Sequence, residues 1–151
     1  DDAGVSGGLG ADERFVILGD QNADPDEGDS YNNAIDQLLS SGEINTTLTP
    51  ESTGAVDFGI DADDTASWGM RADYVLPGNA GLNAEQCGVF WPASTDDVFD
   101  LVRNDASSDH RLVWMDLTVT DTGGDDDDDD DDQQADDDDD DDDSCFIKSV
   151  F

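Results

Sequence analysis

The chain has 151 residues, about the length of one domain. It carries 41 Asp plus Glu against 5 Lys plus Arg, a formal net charge of −36. A surface of that sign repels polyanions in dilute buffer and stays soluble in salt, which argues against tight binding of long DNA through lysine and arginine contacts.

The acidity is unevenly spread. Two runs, Asp125–Asp132 and Asp136–Asp143, hold 16 of the acids. Residues 1–124 hold the other 25 acids against Arg14, Arg71, Arg103 and Arg111, a net of −21, and Lys148, the sole lysine, lies beyond them. This composition leads us to expect a secreted or cell-surface protein from a saline or marine setting. No apolar run reaches the ~18–20 residues that cross a bilayer. There is no basic n-region followed by an apolar signal segment, and the opening Asp1-Asp2-Ala3-Gly4 reads like the interior of a longer sequence. Two cysteines, Cys87 and Cys145, are too few for a disulfide framework; a bridge between them would need an oxidising compartment.

Four regions are expected: a flexible lead-in (1–13), a folded body (14–122), a poly-Asp linker (123–144) and a short apolar tail (145–151). Glycines at 4, 7, 8 and 10 do not make a phosphate loop, because no strand precedes them and no Gly-Lys-Ser/Thr follows. Phe15–Leu18 reads as a buried strand ended by Gly19. Ser30 is placed to cap a helix whose apolar face is Tyr31, Ala34, Ile35, Leu38 and Leu39, with Gly42 as its stop. Ile44–Leu48 is a short extended piece. Pro50–Trp68 reads as a long acidic loop, a length that often signals function. Arg71–Leu76 and Gly88–Trp91 are strands closed by Pro77 and Pro92, and Asp96–Val102 holds a helical turn or two. Arg111–Val119 is the last strand, apolar enough to suggest burial on both faces. The like-charged runs beyond it remain extended and solvated, as a spacer or a loose cation store. The ending Cys145-Phe-Ile suggests a docking or sorting tail.

Three strand ends carry polar groups of one chemical kind. Asp20 and Asn22 follow the first strand. Asp73 sits between apolar neighbours, where a carboxylate is costly unless paired. Asp109 and His110, the chain's single histidine, precede the last strand. Asp20-Gln-Asn22-Ala-Asp24 imitates an EF-hand start, but Pro25 and Tyr31 stand where that loop needs Gly and Glu. The oxygen-rich set instead suits a hard divalent cation, Mg²⁺ or, in its place, Mn²⁺ or Ca²⁺.

Gly19-Asp20-Gln21-Asn22, Arg71-Ala72-Asp73-Tyr74 and Ser108-Asp109-His110 resemble, in order, the last three motifs of the endonuclease/exonuclease/phosphatase superfamily. The longer stretches Asp73-Tyr-Val-Leu-Pro77 and Gly88-Val-Phe-Trp-Pro92 are similar to those of exported, phytase-like bacterial members. The resemblance spans residues 14–118. It implies an α/β (α+β) fold, the C-terminal half of a DNase I-like four-layer sandwich, with the acidic tail disordered. It also implies a metal-dependent phosphoesterase acting on a phosphate ester, nucleic acid included. Asp20 would orient or deprotonate the attacking water and share the metal with Asp109. Asn22 would hold a phosphoryl oxygen, and His110 would contact the phosphate with Asp73 fixing its tautomer. The family's earlier motifs, an Asn, a metal-binding Glu and a second His, have no match here. We therefore expect a missing N-terminal half as partner and little hydrolysis by the chain alone. A non-catalytic acidic module that binds cations or a partner is the alternative.

Overall fold

The computed structural model describes residues 7–10, 12–27, 30–106 and 108–120, and the backbone of 146–148. The poly-Asp linker, Cys145 and part of the lead-in lie outside the described residues. The chain runs β1 (Val16–Asp20), a 3₁₀ turn (Tyr31–Asn33), α1 (Ala34–Leu39), α2 (Thr53–Phe58), β2 (Asp73–Pro77), β3 (Leu82–Val89), a 3₁₀ turn (Phe99–Leu101), β4 (Val113–Val119) and β5 (Phe146–Lys148). All strand ladders are antiparallel: β1 pairs with β2, and β3-β4-β5 form a second sheet. Helices and short antiparallel sheets make this an α+β fold, as expected.

Strand β2 lies at the centre of the packing, and each of its five residues is buried. Side chains alternate across a strand, so Tyr74 and Leu76 share one face and Val75 takes the other. Tyr74 and Leu76 pack with Ile35 of α1 and Ile44, with Phe15, Ile17, Leu38 and Leu39 at the margin. Val75 joins a larger core of Ala55, Leu82, Val89, Trp91, Val102, Val113, Met115 and Leu117. The β1–β2 register then places Asp20 directly opposite Asp73, at the end of β1 and the start of β2. Burial of β2 on both faces fixes that register, because a one-residue slip would turn its apolar side chains the wrong way.

The structure corrects four expectations. The helix after Ser30 starts at Ala34, because Asn32 and Asn33 take left-handed φ values of 51° and 56°, a conformation that asparagine tolerates. Tyr31 is thus 85% exposed rather than part of the apolar face. Ser30 still caps from a distance, its Oγ accepting the Ile35 N–H at 3.0 Å. The helix ends at Leu39 with Ser40 as its cap, ahead of Gly42. Second, the expected 50–68 loop contains α2. Ser52 caps it by accepting the Ala55 N–H, and Gly59 closes it at φ 81°. Third, the strand expected at Gly88–Trp91 is β3, which starts at Leu82 and bulges between Ala84 and Gln86. Its polar residues Asn83, Glu85 and Gln86 face solvent and hide the strand from an apolar-run reading. Fourth, β4 is buried on one face. Val113, Met115 and Leu117 point inward while Thr118 and Val119 are exposed.

Helix α2 reaches the core through Gly54. Its N–H donates to Trp91 O at 3.0 Å, and a Cβ there would lie 2.2 Å from that same oxygen. The close approach therefore needs a glycine. Cys87 is a half-buried free thiol, raised from its usual pKa by burial. Its expected partner Cys145 lies outside the described residues. The tail reading is touched at one point: the backbone of β5 pairs with Trp114–Asp116.

Candidate active site

Asp20, Asp73 and His110 converge. One ligand atom from each lies within 4.8 Å of the others. Asp73 is buried, at 4% exposure, while Asp20 is exposed and His110 half-buried, so the cluster is a polar site with one wall in the core and one in solvent. Gly19 enters it with φ 136° and Asn22 leaves with φ 46°. Between them the chain folds back on β2, as the Gln21 and Asn22 N–H groups donate to Ala72 O at 2.8 and 3.3 Å. Asn22 N–H also donates to Asp20 Oδ1 at 2.7 Å, which fixes that carboxylate.

The Asp73 carboxylate takes two donors on one oxygen. His110 Nδ1 lies 2.8 Å from Oδ2, and the Thr65 hydroxyl donates to the same atom at 2.8 Å. Thr65 Oγ1 itself accepts the Ala72 and Asp73 N–H groups at 3.0 Å each, so its one proton is directed at Asp73. A carboxylate offers only acceptors. The contact therefore requires hydrogen on Nδ1 and leaves Nε2 to the site. Asp73 Oδ1 is buried and has no hydrogen-bond partner among the described residues. An orphaned carboxylate oxygen beside Asp20 fits a bound cation, since such an atom is costly unless something compensates it.

His110 is partly desolvated, which lowers its pKa. The hydrogen bond to Asp73 and the charges of Asp73, Asp20 and Asp109 outweigh that and hold it above its usual value. Asp109 contributes in this way from an exposed position. Its carboxylate is not among the three groups that lie within 4.8 Å of one another.

The segment 65–70, which begins in the expected 50–68 loop, assembles the cluster. Ala66 bridges both Met70 and His110. Ser67 N–H donates to Asp109 O at 2.9 Å, and Arg111 N–H donates to Thr65 O at 2.8 Å. Residues 65–70 thus form a tight hairpin that clasps the His110 strand against the start of β2. Thr65 serves Asp73 from its base. At its tip Trp68 meets the His110 ring at a centroid distance of 5.1 Å, nearly perpendicular. Arg111 secures the other side: its guanidinium donates to Ser108 O, His110 O and Val102 O at 2.7, 3.2 and 3.2 Å, and lies 4.6 Å over the Trp91 ring.

Asp24, the second acid of the Asp20–Asp24 stretch, is a structural anchor. It is 3% exposed. Its Oδ1 accepts from Asp26 and Glu27 N–H, and its Oδ2 from Arg71 N–H at 2.5 Å, which ties the loop after β1 to the approach to β2. Thr65, Trp68, Asp24 and Arg111 were not singled out from sequence. The signals were faint: a Trp-Gly pair at a turn, and an Asp two positions beyond a recognised Asn.

Asp64, next to Thr65, yields a pH prediction. Burial and the charges of Asp24, Asp61 and Asp63 raise it from 3.8 to about 6, against the lowering effect of the Asp61 N–H bond. With the folded value above the unfolded one, its contribution to stability is full below about pH 4 and is lost as pH rises through about 6. Asp64→Asn keeps an oxygen for the Asp61 N–H. It is expected to stabilise the protein by about 1–3 kcal/mol above pH 6, with the advantage vanishing near pH 4. Urea denaturation across that range measures it; a gain independent of pH would contradict the assignment.

Residues 1–110 match the model of the Endonuclease/Exonuclease/phosphatase family, well over half of the chain. No curated protein and no solved structure gives a significant match.

Proposed function

We propose that this chain, which belongs to the Endonuclease/Exonuclease/phosphatase family, contributes Asp20, Asn22, Asp73 and His110 to the metal-assisted hydrolysis of a phosphate ester. Nuclease- or phosphatase-type hydrolysis is the activity of the family. The observation that most supports the assignment of residues is the pairing of Asp73 with His110 at 2.8 Å directly across the ladder from Asp20.

Phosphoryl transfer asks a protein for positioning and charge neutralisation more than for covalent chemistry. With Nδ1–H held by Asp73, His110 presents Nε2 to the phosphoryl group. The Asp73 carboxylate on Nδ1 favours the protonated ring, which donates from Nε2 to a non-bridging oxygen as charge develops. Asp20, with Oδ1 fixed by the Asn22 N–H, orients the attacking water and accepts its proton. Asn22, exposed just beyond, is assigned the phosphoryl oxygen through its carboxamide.

Asp20 and Asp109 are the carboxylates assigned to the cation; both are exposed, so neither is desolvated before it binds. Oxygen donors favour Mg²⁺, with Mn²⁺ or Ca²⁺ as substitutes. Bound there, the ion would neutralise phosphate charge in a body of net −21. That acidic body favours small phosphate esters over long duplex DNA.

Chelation tests the metal assignment. EDTA is expected to abolish hydrolysis of a chromogenic phosphodiester by the full protein, and excess Mg²⁺ to restore it. Turnover that persists in EDTA would remove the cation from the reading.

A further inference from the structure

We infer that the contact between Arg111 and Trp91 is a binding site for one chloride ion, set in the main core behind the active site. The inference goes beyond the phosphoryl reading and does not depend on it.

Two hydrogen-bond donors stand together there without acceptors. Trp91 Nε1 and Arg111 Nε are both buried and have no hydrogen-bond partner among the described residues. Their side chains are almost fully enclosed, Trp91 at 1% and Arg111 at 5% exposure. The guanidinium lies over the indole with Cζ 4.6 Å from the ring centroid. That is close enough for one acceptor, at an ordinary hydrogen-bond distance of about 3 Å, to serve both N–H groups. A buried donor left unpaired is costly, and two side by side point to a ligand.

Charge decides which kind. The other Arg111 donors go to the carbonyls of Ser108, His110 and Val102, which satisfy hydrogen bonding but do not neutralise the guanidinium. Its carboxylate partner is Asp105, 3.5 Å away and with its side chain 57% exposed, where water screens the pair. A buried cation with so little counter-charge favours an anion. Water suits the position less well, because after accepting two N–H groups it needs acceptors for its own hydrogens. Around Trp91 stand Phe58, at 5.4 Å, and Ala55, Val102 and Val113 of the same core, none with a polar side chain. Packing sets the size. A Cβ on Gly54 would lie 2.6 Å from Trp91 Cδ1, the atom bonded to Nε1, so the wall suits a monatomic ion rather than a phosphate or a carboxylate. The same guanidinium holds the Ser108 and His110 carbonyls, so chloride there couples salt to the turn that carries His110.

The test is thermal unfolding of the full chain and of Trp91→Phe, which keeps an aromatic ring but removes the Nε1–H. Each is measured at one ionic strength in sodium chloride and in sodium gluconate, whose anion is too large to enter. General salt effects act on both proteins and cancel in the difference between their Tm values. With chloride tenfold above its dissociation constant, that difference is expected to widen by about 3–8 °C relative to gluconate. A difference that is the same in both salts would overturn the inference. If Trp91→Phe does not fold, crystals of the native protein in sodium bromide decide. An anomalous peak between Trp91 and Arg111 supports the site, and no anomalous peak there overturns it.

Discussion

Substituting His110→Ala or Asp20→Asn in the full protein is expected to lower kcat for phosphate-ester hydrolysis by about 10²–10⁴-fold, the range for losing a positioned acid–base or charge-stabilising group. Asp20→Asn should change fold stability little, because Asp20 is exposed, whereas His110→Ala also removes a partner of the buried Asp73 carboxylate and should cost some stability. Asp73→Asn should fall into the same range by another route. It keeps the shape of the side chain but can offer an N–H where His110 Nδ1–H and the Thr65 hydroxyl both require an acceptor, so the imidazole loses its tautomer and its orientation. If Asp73 acts through His110, the double variant will be no slower than the slower single, since residues that act as a unit are not additive. Rates within tenfold of native for His110→Ala and Asp20→Asn would support the rival reading, a non-catalytic acidic module that keeps the fold.

The largest loss of stability is expected at Trp91. The ring is 1% exposed, lies 5.4 Å from Phe58 and carries the Arg111 guanidinium on its face. Trp91→Ala removes that aromatic volume from the main core, a change that costs about 3–5 kcal/mol. Against a typical stability of about 5–15 kcal/mol, this is about a fifth of the total or more. The consequence should reach the active site, because Arg111 holds the Ser108 and His110 carbonyls and loses its platform. Denaturant unfolding should show the stability loss, and activity measured well below the unfolding midpoint should also fall. A variant within 1 kcal/mol of native would mean that the core closes around the gap.

The candidate site and the core around Trp91 differ in how much of each is legible in the sequence. Motif order made the proposed catalytic set visible as a set of candidates. Asp20, Asn22, Asp73 and His110 sit at or near strand ends, where a polar residue interrupts an apolar run, and that interruption is visible in one dimension. The strands β1 and β2 were readable for the same reason. Strand β3 was not, because its outward side chains are polar and its bulge breaks the alternation. Helix α2 was hidden because six residues holding a Gly and an Asp carry almost no periodicity; its Ser52 cap and the Trp91 carbonyl stabilise it instead.

By itself the sequence determined the chemistry on offer: carboxylates, one imidazole, an α+β pattern and a family. It could not say which of these groups touch. Asp73 and His110 are 37 positions apart, and their contact exists because a hairpin with no motif of its own, residues 65–70, bonds to both strands at once. Pairing partners of that kind are set by backbone geometry and burial, not by residue type. Tertiary structure therefore decided that Thr65 serves Asp73, that Asp24 anchors a loop rather than a metal, and that Trp68 stands exposed beside the imidazole.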